Sequence, residues 1–84
     1  MNKNDFIIAY LKKMDYISAK NFALKFNIYF TDYEINFFLP YLKNNANEIL
    51  SNRNINKKIH TDLDNKINVN SINKLCLLIN KLGY

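Results

Sequence analysis

The sequence has very little of the residues on which several kinds of site depend. Its 84 residues include one cysteine, Cys76, one histidine, His60, and one glycine, Gly83. A single cysteine excludes an internal disulfide, and together with one histidine it makes no zinc-binding spacing. A single glycine excludes the glycine-rich loop that holds a phosphate group. We therefore expect no cofactor, no metal site and no enzyme activity.

Long hydrophobic runs and paired acidic residues are also missing. The longest apolar run near the start, residues 6–11, is too short for the core of a signal peptide and far below the roughly 20 residues that span a bilayer. The seven acidic residues are scattered, with no pair placed for acid–base catalysis. Because nothing indicates a membrane partner, a small-molecule substrate or an oxidising compartment, we expect a cytoplasmic protein.

Hydrophobic residues are plentiful, at 49% of the chain, and they include six tyrosines and six phenylalanines. A chain of this length can bury one core but not two, so we expect residues 1–84 to form a single domain. The net stability of one small core is low. This leaves both a monomer and a dimer open.

The segment from Phe30 to Leu42 has the clearest helical signals. Thr31 followed by Glu34 forms a capping box, and Phe30 with Ile35 has the spacing of a hydrophobic staple. At roughly 100° per residue this helix has two apolar faces. One face carries Ile35, Phe38, Leu39 and Leu42, and the opposite face carries Tyr33, Phe37 and Tyr41. A helix with two apolar faces needs neighbours on both sides, so we expect it to be central.

Two shorter helices are predicted before this central helix. The first is capped by Asn4 and runs to about Met14, with an inward stripe that Phe6 widens. The second is capped by Ser18 and runs to Phe26. Asn27, which tolerates a positive φ, is expected to stop it, with Ile28 folding back on the preceding turn. Its inward face holds Phe22, Ala23 and Phe26.

The second half predicts a link and two further helices. Pro40 should kink the central helix or break it at Leu39. The asparagine-rich residues 43–54 are typical of a connection that can include a helical turn over 46–50, with Ile49 and Leu50 packed on the core. A surface helix follows from about residue 54 to 67. Its narrow stripe is Ile55, Ile59, Leu63 and Ile67. A last helix begins at Asn70 or Ser71 and ends before Gly83.

These elements predict an all-α fold. We expect a compact bundle of four to five short helices around the central apolar helix, at about residues 31–43. Alternating polar and apolar positions are missing, so strands are not expected.

The aromatic face of the central helix is the first candidate site. Tyr33, Phe37 and Tyr41 either belong to the core or, if the other helices leave them uncovered, form an exposed patch that binds a protein partner or a second copy of the chain. Leu77 and Leu78 make the last helix more hydrophobic than packing on one side requires. They could belong to this patch or to a dimer contact. Three aromatic residues on one helix face are more often core.

A basic cluster is the second candidate site. The net charge is +5, and residues 43–84 carry +4 of it. Arg53, Lys57, Lys58 and Lys66, with His60, could bind the phosphates of a nucleic acid, although Asp62 and Asp64 partly neutralise them. Cys76 lies on the apolar stripe of the last helix, where we expect a buried thiol.

Two familiar motifs fail on inspection. Residues 18–42 could form a helix-turn-helix, but the second helix opens with Asp32 and Glu34 and has no lysine or arginine to meet phosphates. Residues 62–73 resemble a calcium loop only at Asp62 and Asp64. Glycine is missing at its sixth position and glutamate at its twelfth.

The pattern of residues 17–82 resembles a known family. It combines a capped short helix, an Asn-Ile stop, a Thr-capped helix with a Leu-rich end, an Asn-rich link over 45–52 and two closing helices over 56–67 and 68–82. This order is similar to that of the small YqfT-like family of unknown function from low-GC Gram-positive bacteria. The resemblance implies a helical fold in the bacterial cytosol and implies no site residues; Pro40 departs from it.

Two functional hypotheses follow. The first is a non-enzymatic protein-interaction module that uses Tyr33, Phe37 and Tyr41. The alternative is a small nucleic-acid-binding regulator that uses Arg53, Lys57, Lys58 and Lys66.

Overall fold

A computed structural model describes residues 3–84, so Met1 and Asn2 of the predicted domain lie outside it. The described residues form five helices packed into a compact globule, with no strands among them. The helices are α1 (Lys3–Lys12), α2 (Tyr16–Leu24), α3 (Asp32–Leu50), α4 (Ile55–Leu63) and α5 (Val69–Lys81). The predicted all-α bundle around a central helix is confirmed.

Helix α1 differs from its prediction at both Asn4 and Phe6. Asn4 lies inside the helix, where its amide nitrogen donates to the Leu50 carbonyl at 3.3 Å and its amide oxygen accepts from the Tyr84 hydroxyl at 2.5 Å. Phe6 is 65% exposed and does not widen the inward stripe. Since α1 packs mainly against α3, one side of it stays uncovered. Met14, predicted on the inward stripe, and Ile8, predicted to widen it, are buried.

Helix α2 is capped by Asp15 and not by Ser18. The Asp15 carboxylate accepts from the Ser18 amide at 2.8 Å, so the helix begins almost a turn earlier than predicted. It ends at Leu24, two residues before the predicted Phe26, but the stop after it is the predicted one. Asn27 adopts a left-handed φ of 62°, and the Ile28 amide donates back to the Ala23 carbonyl at 3.1 Å, which buries Ile28.

Helix α3 begins at the predicted capping box. The Thr31 hydroxyl accepts from the Glu34 amide at 3.2 Å, and the Glu34 carboxylate accepts from the Thr31 amide at 2.8 Å. The two staple residues, Phe30 and Ile35, are both buried. Local hydrogen bonding therefore fixes where this helix starts.

The end of α3 overturns two predictions. The helix continues through Pro40 to Leu50, so it does not break at Leu39, and residues 43–50 are helix and not a link. Pro40 is exposed, which places its ring away from the core. Beyond it Ala46 and Ile49 are buried. Their burial compensates for the backbone hydrogen bond that the proline removes.

Helix α4 begins where predicted and is shorter than predicted. The Asn54 side chain accepts from the Lys57 amide at 3.2 Å, and Ile55, Ile59 and Leu63 are buried. The helix ends at Leu63, four residues before the predicted end. A left-handed Asn65, with a φ of 63°, turns the chain there.

Helix α5 begins a turn earlier than predicted. Asn68 caps it by accepting from the Asn70 amide at 2.7 Å, in place of the expected Asn70 or Ser71. Its predicted apolar stripe is largely buried, and Gly83 follows the helix with a φ of 100°. The buried members of that stripe are Ile72, Leu75, Cys76 and Ile79.

Helix α3 is the element against which the others pack. It lies against α1, α2 and α4, and α5 packs on α4. The inward face predicted for α3 supplies the buried Ile35 and Phe38. The opposite face of α3 carries Tyr33, Phe37 and Tyr41.

Candidate functional site

The aromatic face of α3 is partly core and partly surface. Tyr33 is 65% exposed, whereas Phe37 and Tyr41 are partly buried and pack against the core. The three side chains follow one another at one-turn spacing along the helix. The structure therefore keeps the predicted stripe on one face and divides it into one exposed ring and two supported rings.

Both supported rings are held by named contacts. The Phe37 ring meets the buried Phe38 ring edge-on, with centroids 5.8 Å apart. The Tyr41 hydroxyl donates to the Asp62 carboxylate on α4 at 2.7 Å. Because one ring is fixed by the core and the other by α4, this face is rigid below Tyr33.

Phe37 and Tyr41 also form one wall of a groove between α3 and α4, which we call the α3–α4 groove. Its lining is Phe37, Tyr41, Asn45, Glu48, Lys58, Asp62, Leu63 and Lys66. Helix α3 contributes the two aromatic rings together with Asn45 and Glu48, and the residues from α4 and the turn after it are mostly charged. Such a groove can take an apolar side chain on one side and polar groups on the other.

Lys58, one of the cations of this groove, forms ion pairs with neighbouring carboxylates. The Lys58 ammonium lies 3.1 Å from the Asp62 carboxylate and 3.6 Å from that of Glu48. Hydrogen bonding to Asp62 raises the pKa of Lys58. Burial favours a higher pKa for Asp62, but hydrogen bonds from Tyr41 and Lys58 outweigh it and lower that pKa. Both groups are therefore charged at neutral pH.

The four predicted phosphate-binding residues do not share one surface. Lys58 and Lys66 line the α3–α4 groove. Lys57 lines a second groove, between α4 and α5, and Arg53 is exposed in the link before α4. Lys58 is paired with carboxylates, and the three exposed cations lie before α4 (Arg53), within it (Lys57) and after it (Lys66).

The remaining chemically reactive residues lie apart from this groove. Cys76 is buried, as predicted, and burial raises the pKa of its thiol. His60 lines the groove between α4 and α5 with Asp64. Within residues 3–84 no three side chains of His, Cys, Asp or Glu are grouped to hold a metal ion.

Leucine at positions 77 and 78 was expected to join the aromatic patch or a dimer contact. Leu78 is instead buried in the core, whereas Leu77 is 48% exposed on α5. Adjacent positions on a helix point about 100° apart, so α5 can bury one and expose the other. The prediction for Leu78 as a surface residue is wrong.

Sequence reasoning missed Asn45, Glu48 and Asp62 as members of the groove. The first two were missed because residues 43–54 were read as a link. A signal was present: residues 37, 41 and 45 are spaced by four, as are residues 58, 62 and 66, which is the spacing of one helix face.

Comparisons with known proteins give no match: no family model fits the chain, and the curated proteins and solved structures contain no significant relative. The resemblance to the YqfT-like family stays an interpretation of the sequence pattern. None of the helices in residues 3–84 is both long and apolar enough to cross a membrane.

Proposed function

We propose that this protein is a non-enzymatic interaction module that binds a protein partner through Tyr33, Phe37 and Tyr41. The observation that carries the proposal is the exposed Tyr33 ring, in line with two rings that the core and α4 hold in place. Aromatic side chains with rigid support are the residues that most often dominate binding energy at protein interfaces.

The charge of the chain favours an acidic partner segment. The net charge is +5, and Lys66 is exposed beside the aromatic wall of the α3–α4 groove. An apolar anchor flanked by carboxylates would therefore pack on Phe37 and Tyr41 and meet Lys66. Complementary charge of this kind raises the association rate and selects the partner.

Photo-crosslinking in cells can identify the partner. The change Tyr33→p-benzoylphenylalanine places the reactive group on the proposed surface, and the same change at Val69, which is exposed on α5, is the matched control. We expect a specific adduct from position 33 alone. The partner identified from the adduct is then purified, and the Kd of its complex with this chain is measured.

Substitution of Tyr33 tests the binding of the identified partner. We expect Tyr33→Ser to weaken it about thirtyfold, as for an interface residue of central importance, and Val69→Ser to leave Kd unchanged. Tyr33 is exposed, so the fold should survive. Phe37→Asp should abolish binding, but it must first be shown to fold, because Phe37 packs against Phe38.

Self-association is the other form of this hypothesis, and light scattering separates the two. A dimer that Tyr33→Ser converts to a monomer would place a second copy on the aromatic face and would overturn the acidic-partner proposal. If no adduct forms and no dimer exists, the interaction module itself is excluded.

The alternative remains a nucleic-acid-binding regulator that uses Arg53, Lys57, Lys58 and Lys66. Its support is the exposure of Arg53, Lys57 and Lys66. Three phosphate contacts predict a slope of about −2.7 for log K against log salt on duplex DNA, and a change of all four cations to glutamine should flatten it. Binding to the protein partner should depend far less on salt.

A further inference from the structure

A cavity that is partly open to solvent lies between the helices, separate from the α3–α4 groove. It has a volume of about 100 Å³ and is bounded by side chains of α1, α2, α3 and α5. We call it the interhelix cavity. Representative lining residues are Leu11, Met14, Phe22, Leu42, Ala46 and Leu78.

The cavity has two causes in the packing. The backbone of α5 packs closely on that of α4 and much less on those of α1, α2 and α3 within the described bundle, which leaves space between their side chains. Small residues also face the gap. Ala46 on α3 is 6% exposed and Ala19 on α2 is partly buried, and each presents only a methyl group to the cavity.

The lining has one kind of chemistry. Among residues 3–84 it is made of alanine, leucine, isoleucine, phenylalanine and methionine side chains, with Tyr10 as the one that carries a hydroxyl. A buried water needs two to four polar partners, which this lining does not supply, and apolar cavities of roughly 150 Å³ in proteins stay dry and bind benzene or xenon. An uncharged apolar molecule can enter this cavity without giving up hydrogen bonds that the lining cannot replace.

Tyr10 marks the side from which a ligand could enter. It is 47% exposed, while every other lining residue is buried or half-buried. Its ring packs edge-on against Phe22, with centroids 5.7 Å apart. The lining therefore reaches solvent at Tyr10.

We propose that the interhelix cavity is a binding site for a small uncharged apolar molecule, with the size of a benzene ring or a short hydrocarbon chain. The size follows from the cavity volume and the chemistry from its lining. Any polar group on such a ligand would lie at the Tyr10 side. This site is independent of the aromatic face of α3 and of its proposed partner.

Benzene and xenon are the probes for this proposal. We expect benzene at roughly ten times its Kd to raise the midpoint of thermal unfolding by about 8 °C. It should also shift the amide NMR signals of Ala46 and Leu42 more than those of the exposed Lys57. Phenyl phosphate, which carries charge on a ring of the same size, should produce neither effect.

Variants of the lining locate the site. Ala46→Leu should fill the cavity and raise the Kd for benzene at least tenfold. Ala9→Leu is the matched control, because Ala9 is exposed on α1 and does not line the cavity. Leu78→Ala should enlarge the cavity and lower the Kd.

The outcomes are distinguishable. If Ala46→Leu does not fold, Ala19→Leu makes the same test from α2. The proposal would be overturned if both filling variants bind benzene as tightly as the wild type does. It would also be overturned if neither benzene nor xenon binds to the wild type or to Leu78→Ala. Tyr33→Ser should leave benzene binding intact, which separates this result from that of the protein-partner experiment.

Discussion

The carboxylate of Glu34 lies 2.6 Å from the ammonium of Lys74, and this ion pair joins α3 to α5. Glu34 is 5% exposed and also accepts from the Thr31 amide. Burial on its own raises the pKa of Glu34, but hydrogen bonds from Lys74, Ser71 and Thr31 outweigh it and lower that pKa to about 2. One residue thus serves as helix cap and as interhelix contact.

The stability of the protein should fall in acid because of Glu34. The ordinary pKa of this side chain is 4.5, and the folded value is about 2. The ionised carboxylate therefore stabilises the fold fully above about pH 4.5, and this stabilisation is lost as the pH falls toward 2. We expect a loss of about 3 kcal/mol from this group over that range, measured by urea unfolding at several pH values.

Glu34→Gln isolates this effect. It removes the charge while keeping the shape, so the variant should lose about 3 kcal/mol at pH 7 and show a flatter dependence on pH below 5. Asp64→Asn, a change of an exposed acid, is the control and should retain the wild-type slope. An unchanged slope in Glu34→Gln would show that other carboxylates cause the acid sensitivity.

Loss of the Thr31 hydroxyl should destabilise α3 at its start. Thr31→Ala removes the acceptor of the Glu34 amide, and N-cap substitutions of this type cost about 1 kcal/mol. Thr31→Ser keeps the hydroxyl and should stay within a few tenths of a kcal/mol of the wild type. Chemical denaturation measures both; equal stabilities would mean that water satisfies the amide as well as the side chain does.

Replacement of Pro40 should stabilise the protein. The proline lies inside α3, is exposed and has no amide hydrogen to donate to the helix. We expect Pro40→Ala to raise the free energy of unfolding by about 1 to 3 kcal/mol. Asn44→Ala, at an exposed position of the same helix, measures the gain from helix propensity alone. A gain no larger than that of the control would contradict the prediction.

The hydrogen bond from Tyr41 to Asp62 should be visible in the titration of the carboxylate. Tyr41→Phe removes the donor at 2.7 Å, so we expect the pKa of Asp62 to rise and the stability to fall by about 1 kcal/mol. Carboxyl NMR titration reads the pKa directly. Phe37→Leu, on the same face, should leave the pKa unchanged. A lowered or constant value in Tyr41→Phe would mean that Lys58 alone holds the carboxylate.

Some features of the fold could be predicted because they depend on neighbours in the chain. The capping box at Thr31 and the left-handed stop at Asn27 involve hydrogen bonds between residues no more than five positions apart. The caps at Asp15 and Asn68 were assigned too late in the chain. In both cases several capping residues stand close together, and the local sequence favours none of them strongly.

The end of α3 could not be predicted from the local sequence. An asparagine-rich segment after a proline is typical of a link, and the local pattern contains nothing that outweighs it. Helix α3 continues because Ala46 and Ile49 reach buried positions, and the elements that cover them are distant in the chain. The groove residues Asn45 and Glu48 were missed for the same reason.

The sequence by itself determined an all-helical chain, the start of its central helix and the placing of Tyr33, Phe37 and Tyr41 on one face, because helical periodicity and capping act over a few residues. Only the tertiary structure decided which of these rings is exposed, that Lys58 is paired with Glu48 and Asp62, and that Glu34 meets Lys74. Those outcomes depend on which surfaces of distant helices come together, and burial of apolar area between helices sets that.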